Sequence, residues 1–282
     1  MNSRPALKLK ISNKNRGTAS IEVIQITDLH FLPDPRQTLL GIDTDETARQ
    51  VIELAKVKIW PPDLILLTGD LAQDPLADTY RRLHRYLQHL DVRCVCLPGN
   101  HDDPRIMQEV LNSEKVDCSP RVLTDAWQII CLDSSEPGSE VGHFSEKTFR
   151  VLKQYLNEYP EKFVLICLHH HPIPIGCAWL DTMVLEEKNE LFAILESYPK
   201  TRAIVCGHIH QALDTRHRNI QVFGTPSTCF QFKPASENFR LDDKAPGYRR
   251  LMLFPDGTIE TEVFRLAELP KGLNLSSSGY RN

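Results

Sequence analysis

Five short runs of this 282-residue chain concentrate side chains that bind metal ions or move protons: Asp28-Leu29-His30, Gly69-Asp70, Gly99-Asn100-His101-Asp102, His169-His170-His171 and Gly207-His208-Ile209-His210. Asp28 and His30 stand two residues apart, as do His208 and His210. In extended backbone that spacing puts both side chains on one side, where they can share an ion. Taken alone, most of these runs have a plainer reading: Gly-Asp and Pro-Gly-Asn are ordinary turn chemistry. Three imidazoles directly after an apolar segment are harder to explain as packing, because a buried ring needs polar partners. Together, hard oxygens from Asp and Asn mixed with imidazole nitrogens suit iron, manganese, zinc or cobalt better than calcium or magnesium alone. The donors exceed what one ion can use, and a carboxylate free to bridge points to two ions about 3.5–4 Å apart.

Each run follows an apolar β-type segment, at residues 21–27, 64–67, 92–96, 162–168 and 202–206. Carboxyl ends of strands are where open α/β sheets gather their chemistry. Between these segments the periodicity predicts helices: one from Asp43 or Thr44, where Asp43-x-x-Glu46 resembles a capping box, to Pro61-Pro62; then residues 74–90, 104–111, one opening at Ser145, and 186–197. A further strand is expected over 126–133. The glycine of Gly69-Asp70 lets backbone approach whatever the carboxylate binds. The last third changes character, with strands at 220–223, 251–254 and 259–263, the last two joined by Pro255-Asp256-Gly257. Lacking an internal repeat or a low-complexity linker, the chain reads as one mixed α/β domain over residues 21–269, with flexible tails at 1–20 and 270–282.

Composition narrows the function classes. Hydrophobic residues make up 41% and charged residues 25%, as in a soluble globular protein. The net charge is 33 − 37 = −4 with no basic block, which argues against a nucleic-acid duplex as partner. No run approaches ~20 apolar residues, so no membrane-spanning helix is expected, and the polar, basic first twenty residues lack the apolar core of a secretory signal. Most of the eight cysteines sit in apolar strand-like segments, which fits reduced thiols in the cytoplasm.

The five runs together resemble the metal motifs of calcineurin-like metallophosphoesterases. The longer stretches Leu168-His169-His170-His171-Pro172, Gly207-His208-Ile209-His210-Gln211 and Thr225-Pro226-Ser227-Thr228-Cys229 resemble, within that superfamily, the bacterial class III 3',5'-cyclic AMP phosphodiesterases. The resemblance implies a four-layer α/β/β/α sandwich of two mixed sheets with a binuclear site at strand ends. It implies Asp28, His30 and His210 around one ion, Asn100, His170 and His208 around the other, and Asp70 bridging. The residues themselves leave open which of His169, His170 and His171 binds. The resemblance selects His170, since the family ligand lies two residues before a proline.

By the same resemblance, a hydroxide bridging two ions, iron or manganese first and zinc or cobalt as alternatives, opens cyclic AMP to 5'-AMP. His101 protonates the departing 3' oxygen, and His30, Asp70, Asn100, His101 and His210 meet the substrate. Asp102 keeps a structural reading, orienting a neighbour or capping the next helix. Rival substrates on such a site are 2',3'-cyclic nucleotides, glycerophosphodiesters and nucleotide-sugar-lipid pyrophosphates. A metal-free binding scaffold on the same fold would show degenerate ligand positions, and none is degenerate. For the nucleobase, residues 225–232 and His143-Phe144 are candidates beside ordinary packing.

Overall fold

Alternation along the strands sorts their side chains onto two faces, and burying both faces dictates the layers. Ile21 and Val23, with Leu64 and Leu66 of the neighbouring strand, meet Trp127, Ile129, Leu165, Cys167, Ala203 and Val205 of a second sheet. The intervening Ile24, Ile26, Ile65 and Leu67 pack against helices carrying Val51, Ile52, Ala55, Leu83 and Leu87. On the far side of the second sheet, Ile130, Ile166 and Ile204 meet Phe149, Leu152, Leu156, Leu191 and Leu195 of two other helices. Two sheets face to face, each backed by helices, make the α/β/β/α sandwich implied by the resemblance.

The structure, a computed structural model, describes residues 7–8 and 20–279. In chain order it contains β1 (Leu7–Lys8), β2 (Ile21–Ile26), α1 (Thr44–Ile59), β3 (Leu64–Thr68), α2 (Ala77–Gln88), β4 (Cys94–Leu97), α3 (Pro104–Val110), β5 (Val116–Asp117), β6 (Arg121–Leu123) and β7 (Trp127–Cys131). There follow α4 (Glu146–Glu158), β8 (Phe163–Cys167), α5 (Lys188–Glu196), β9 (Thr201–Cys206), β10 (Leu213–His217), β11 (Ile220–Gly224), β12 (Gly247–Leu253) and β13 (Ile259–Arg265). One sheet runs β13-β12-β2-β3-β4-β5 and the other β1-β6-β7-β8-β9-β11-β10. Both are mixed: β2 to β5 are parallel and β12 antiparallel to its neighbours, while β7, β8, β9 and β11 are parallel between antiparallel β6 and β10.

The expected helices form, and their caps explain where they start. Asp43 accepts from Glu46 N at 2.9 Å ahead of α1, and Ser145 accepts from Thr148 N at 3.2 Å ahead of α4. Asp103, rather than Asp102, caps α3, accepting from Arg105 N at 2.8 Å. Strands β1, β5 and β6, two or three residues long, carry too little pattern to be read from sequence. Apart from Leu7, Lys8 and Ser20, the expected N-terminal tail lies outside the described residues; Leu7–Lys8 pair in parallel with Val122 and Leu123. Within the expected C-terminal tail, Asn274 N donates to Leu40 O at 2.9 Å and Leu273 packs against an apolar cluster around Phe230 and Phe232. Among the described residues no helix is long and apolar enough to cross a membrane.

Candidate metal centre

Because β2, β3 and β4 are parallel neighbours, their carboxyl ends lie side by side and deliver Asp28, Asp70 and Asn100 to one place. Parallel β8 and β9 in the facing sheet bring in residues 169–171 and 208–210. Loop-to-loop backbone bonds hold the ends in register: Asp28 N to Gly69 O at 3.0 Å, His30 N to Asp70 O at 2.9 Å and Gly207 N to His169 O at 3.1 Å. Asp28, His30, Asp70, His208 and His210 all have positive φ, between 48° and 67°. This left-handed backbone is unfavourable for residues bearing a Cβ. The two-residue spacing therefore makes these side chains converge through paired left-handed residues beyond the strand ends, and not through strand pleat.

Asp28, His30 and His210 form one cluster, their ligand atoms all within 4.8 Å of one another. Its His210 Nε2 lies 3.3 Å from both Asp28 Oδ1 and His30 Nε2. Asp70, His169 and His208 form a second cluster by the same distance. Here His169 Nε2 lies 3.3 Å from Asp70 Oδ2 and 3.2 Å from Asn100 Oδ1. Asp70 also reaches the first cluster, with Oδ2 3.8 Å from His30 Nε2, and its Oδ1 accepts from His101 N at 3.0 Å. One carboxylate thus stands between two groups of donors.

Each of three rings is fixed through its other nitrogen. His169 Nδ1 donates to Thr68 O at 2.8 Å, His210 Nδ1 to Phe230 O at 2.8 Å, and His30 Nδ1 meets Gln73 Oε1 at 2.9 Å. A proton held on Nδ1 leaves the Nε2 lone pair for the cluster, the arrangement that orients metal-bound histidine. His101 Nδ1 donates likewise to Gln73 O at 3.0 Å.

The expected ligand His170 is not part of either group. Its Nδ1 meets Ser134 Oγ at 2.8 Å, and His169 occupies the place beside Asp70. The reason lies in the backbone. Strand β8 ends at Cys167 and residues 168–171 bend, so neither alternation nor distance from Pro172 fixes where each ring points. His171 lies farther off, its Nε2 3.7 Å from Asp181 Oδ1.

The electrostatics suit a cation. Burial holds His30 at about 3 and His171 at about 4, and it keeps His170 and His208 well below the usual imidazole range. Burial also acts against charge on His169, but Asp70 and Asp28 outweigh it and lift that ring to about 9. For Asp28 burial acts to raise the carboxyl, yet His210 and His169 bring it below its ordinary value. Asp70 is likewise drawn well down by His169 and His101 against its burial. Two buried carboxylates and the imidazoles of His30 and His208, kept neutral by burial, with His208 Nε2 lacking a hydrogen-bond partner among the described residues, form a donor set that fits divalent ions.

The surrounding residues are supports. Asp102 accepts from Leu71 N at 3.0 Å, Ala72 N at 3.1 Å, Gly99 N at 3.0 Å and Tyr80 Oη at 2.8 Å, tying the second and third motif loops together. A Cβ on Gly99 would collide with Asp70, and one on Gly207 with Thr27 and Asp28, so both glycines are required by close approach. The 225–229 stretch buttresses the first loop: Thr225 Oγ1 donates to Gln25 Oε1 at 2.6 Å, Ser227 Oγ to Asp28 O at 2.8 Å and Thr228 N to Thr27 O at 3.2 Å. A cavity of about 240 Å³ opens over the centre, lined by Asp70, Asn100, His101 and His208 and also by Trp179, Met183, Phe232 and Phe239. Of residues 225–232 only Phe232 lines it, and Phe144 is buried among the apolar residues of α4 and α5.

The calcineurin-like phosphoesterase family profile matches residues 21–212, which hold every member of both clusters. The chain belongs to the calcineurin-like phosphoesterase family. Like the 3',5'-cyclic adenosine monophosphate phosphodiesterase CpdA of Escherichia coli K12, to which it is 40% identical over 94% of this chain and 96% of that one, this phosphoesterase is matched nearly end to end. A Pseudomonas aeruginosa protein of the same name is 35% identical, over 95% of this chain and 98% of that one. A Nostoc 3',5'-cyclic-nucleotide phosphodiesterase is 36% identical over 87% and 92%. Among solved structures, a dimetal phosphatase from Danio rerio superposes with a TM-score of 0.57 at 14% identity, covering 87% of this phosphoesterase and 98% of that chain. The Plasmodium protein GAP50 gives 0.62 at 12%, covering 93% and 89%. At such identity these two show the shared fold.

Proposed function

We propose that this phosphoesterase hydrolyses 3',5'-cyclic AMP to 5'-AMP at a two-metal centre. The observation that carries the reading is its 40% identity, over 94% of the chain, to a cyclic AMP phosphodiesterase. The geometry supports it, since Asp70 stands between two donor clusters. Asp28, His30 and His210 would hold one ion, Asn100, His169 and His208 the other, and Asp70 both. Two ions there, iron or manganese in the first instance, supply the activation of water and the charge neutralisation that phosphoryl transfer needs.

The chain's own groups do the rest. Water oxygen bonds to phosphorus, the bond from phosphorus to the 3' oxygen breaks, and that oxygen must gain a proton. His101, with Nδ1 committed to Gln73 O, gives the proton from Nε2. Its backbone N–H steadies Asp70, so the proton donor and the shared carboxylate keep a fixed relation. Asn100 and His101, both in the cavity wall, meet the phosphoryl oxygens, whereas His30 and His210, also expected to meet the substrate, are buried and do not line the cavity. A cavity of about 240 Å³ suits a single nucleotide and gives no long cleft for a lipid chain. The reading sets this activity in the cytoplasm, consistent with eight unpaired cysteines, seven of them buried.

The test is a substrate panel on chelated protein reloaded with manganese or iron. Cyclic AMP, cyclic GMP, 2',3'-cyclic AMP and a glycerophosphodiester are each assayed with chromatographic identification of product. Metal-dependent formation of 5'-AMP from 3',5'-cyclic AMP is expected. Cleavage of another diester with no 5'-AMP formed would refute this substrate and leave the family membership standing.

A further inference from the structure

Half of the cavity wall serves no purpose in phosphodiester chemistry. Besides Asp70, Asn100 and His101, the wall carries Trp179, Phe232 and Phe239. Trp179 meets Phe232 edge to face, with ring centroids 4.9 Å apart at 81°, and Phe239 at 5.5 Å and 57°. Phe232 in turn stacks on the ring of His210, centroids 4.2 Å apart at 22°. An aromatic wall therefore begins in van der Waals contact with the first donor cluster and continues away from it. Trp179 belongs to a loop that leads into a short 3₁₀ turn, Leu180–Met183, and its Nε1 is buried with no hydrogen-bond partner among the described residues.

Resting on the cyclic nucleotide reading above, we propose that Trp179, Phe232 and Phe239 form the nucleobase subsite and that Trp179 sets base selectivity. A flat π-surface bounded by aromatic faces and edges suits a heterocyclic base, and the larger face of a purine gains more from stacking than a pyrimidine. The subsite shares a single cavity of about 240 Å³ with Asp70, Asn100 and His101 at the phosphate end. Of the stretches that sequence offered, 225–232 and His143-Phe144, Phe232 alone belongs to it, while Trp179 and Phe239 lie outside both.

The experiment compares three rings opened by metal-loaded protein: cyclic AMP, cyclic UMP, and a methyl ribofuranoside 3',5'-cyclic phosphate that has no base, all followed by phosphorus NMR. Wild-type protein is expected to prefer cyclic AMP to the base-free ring in kcat/KM, with cyclic UMP between them. Trp179→Ala should reduce that preference about tenfold, through KM and not kcat. Trp179→Phe, which keeps a stacking face and loses the N–H, should fall between Ala and wild type. The preference is a ratio on one preparation, so a partly folded variant does not mimic the effect. If Trp179→Ala leaves the ratio where it was, or if wild type opens the base-free ring as well as cyclic AMP, the subsite is wrong while the phosphodiesterase reading survives. If wild type opens none of the three rings, the reading itself fails and takes the subsite with it.

Discussion

Asp70 and His101 sit within one hydrogen bond of each other and are expected to fail differently. Asp70→Ala removes the carboxylate that faces both clusters and should strip the protein of metal. His101→Ala removes a proton donor and should keep the metal while turnover falls by about 10²–10⁴-fold. Elemental analysis beside kcat separates the two, and an empty His101→Ala protein would contradict the division. The same assay resolves the histidine run: His169→Ala should lose metal, and His170→Ala should retain it, because His170 contacts Ser134 and stands outside both donor groups. Asp28, His30, Asp70, Asn100, His208 and His210 were all legible as donors, since each directly follows an apolar strand segment. The choice among His169, His170 and His171 was not, because it depends on how the backbone turns after Cys167, which neither the period of a strand nor a count back from proline encodes.

At the scale of elements, the site depends on loops that are short and mutually fastened. Asp102 alone receives three backbone N–H groups and the Tyr80 hydroxyl from three segments. Asp102→Ala leaves four buried donors without an acceptor and should cost about 3 kcal/mol or more of stability, read as a lower urea midpoint at an unchanged slope. Metal affinity should fall in the same variant, since the loop bearing Asn100 loses its anchor to the one bearing Asp70. The long elements were legible for reasons of pattern: a partly alternating run in β2, a continuous apolar run in β3, an Asp43 cap before α1, a Phe149-Leu152-Leu156 stripe in α4. Trp179 and Phe239 were not, because they come from irregular segments without period. The one available signal was an excess of aromatic residues in turns where no helix or strand needed them.

For the molecule as a whole, the buried rings set how stability follows pH in metal-free protein. Unfolded imidazoles titrate near 6.5. His30 at about 3 and His171 at about 4, together with His170 and His208, stay neutral in the fold, so their contribution is full above about pH 6.5 and is lost as the pH falls toward their folded values. His169, raised to about 9, runs the other way: its contribution is full below about 6.5 and is lost as the pH rises through 9. Urea midpoints of chelated protein are therefore expected to peak between the two limits and fall on both sides; a steady rise from about pH 5 to pH 10 would contradict this. Five of the nine non-glycine residues with positive φ among the described residues are donors of this centre. Each such residue costs of order 1–3 kcal/mol, and glycine alone adopts that backbone without the penalty. Asp28→Asn removes a carboxylate that the fold stabilises and should lower the melting temperature of the metal-free protein while abolishing metal binding. Natural selection for a sturdy fold alone would erode these positions first, so in a descendant lineage freed from catalysis they should drift to glycine while the strands beneath them keep their sequence.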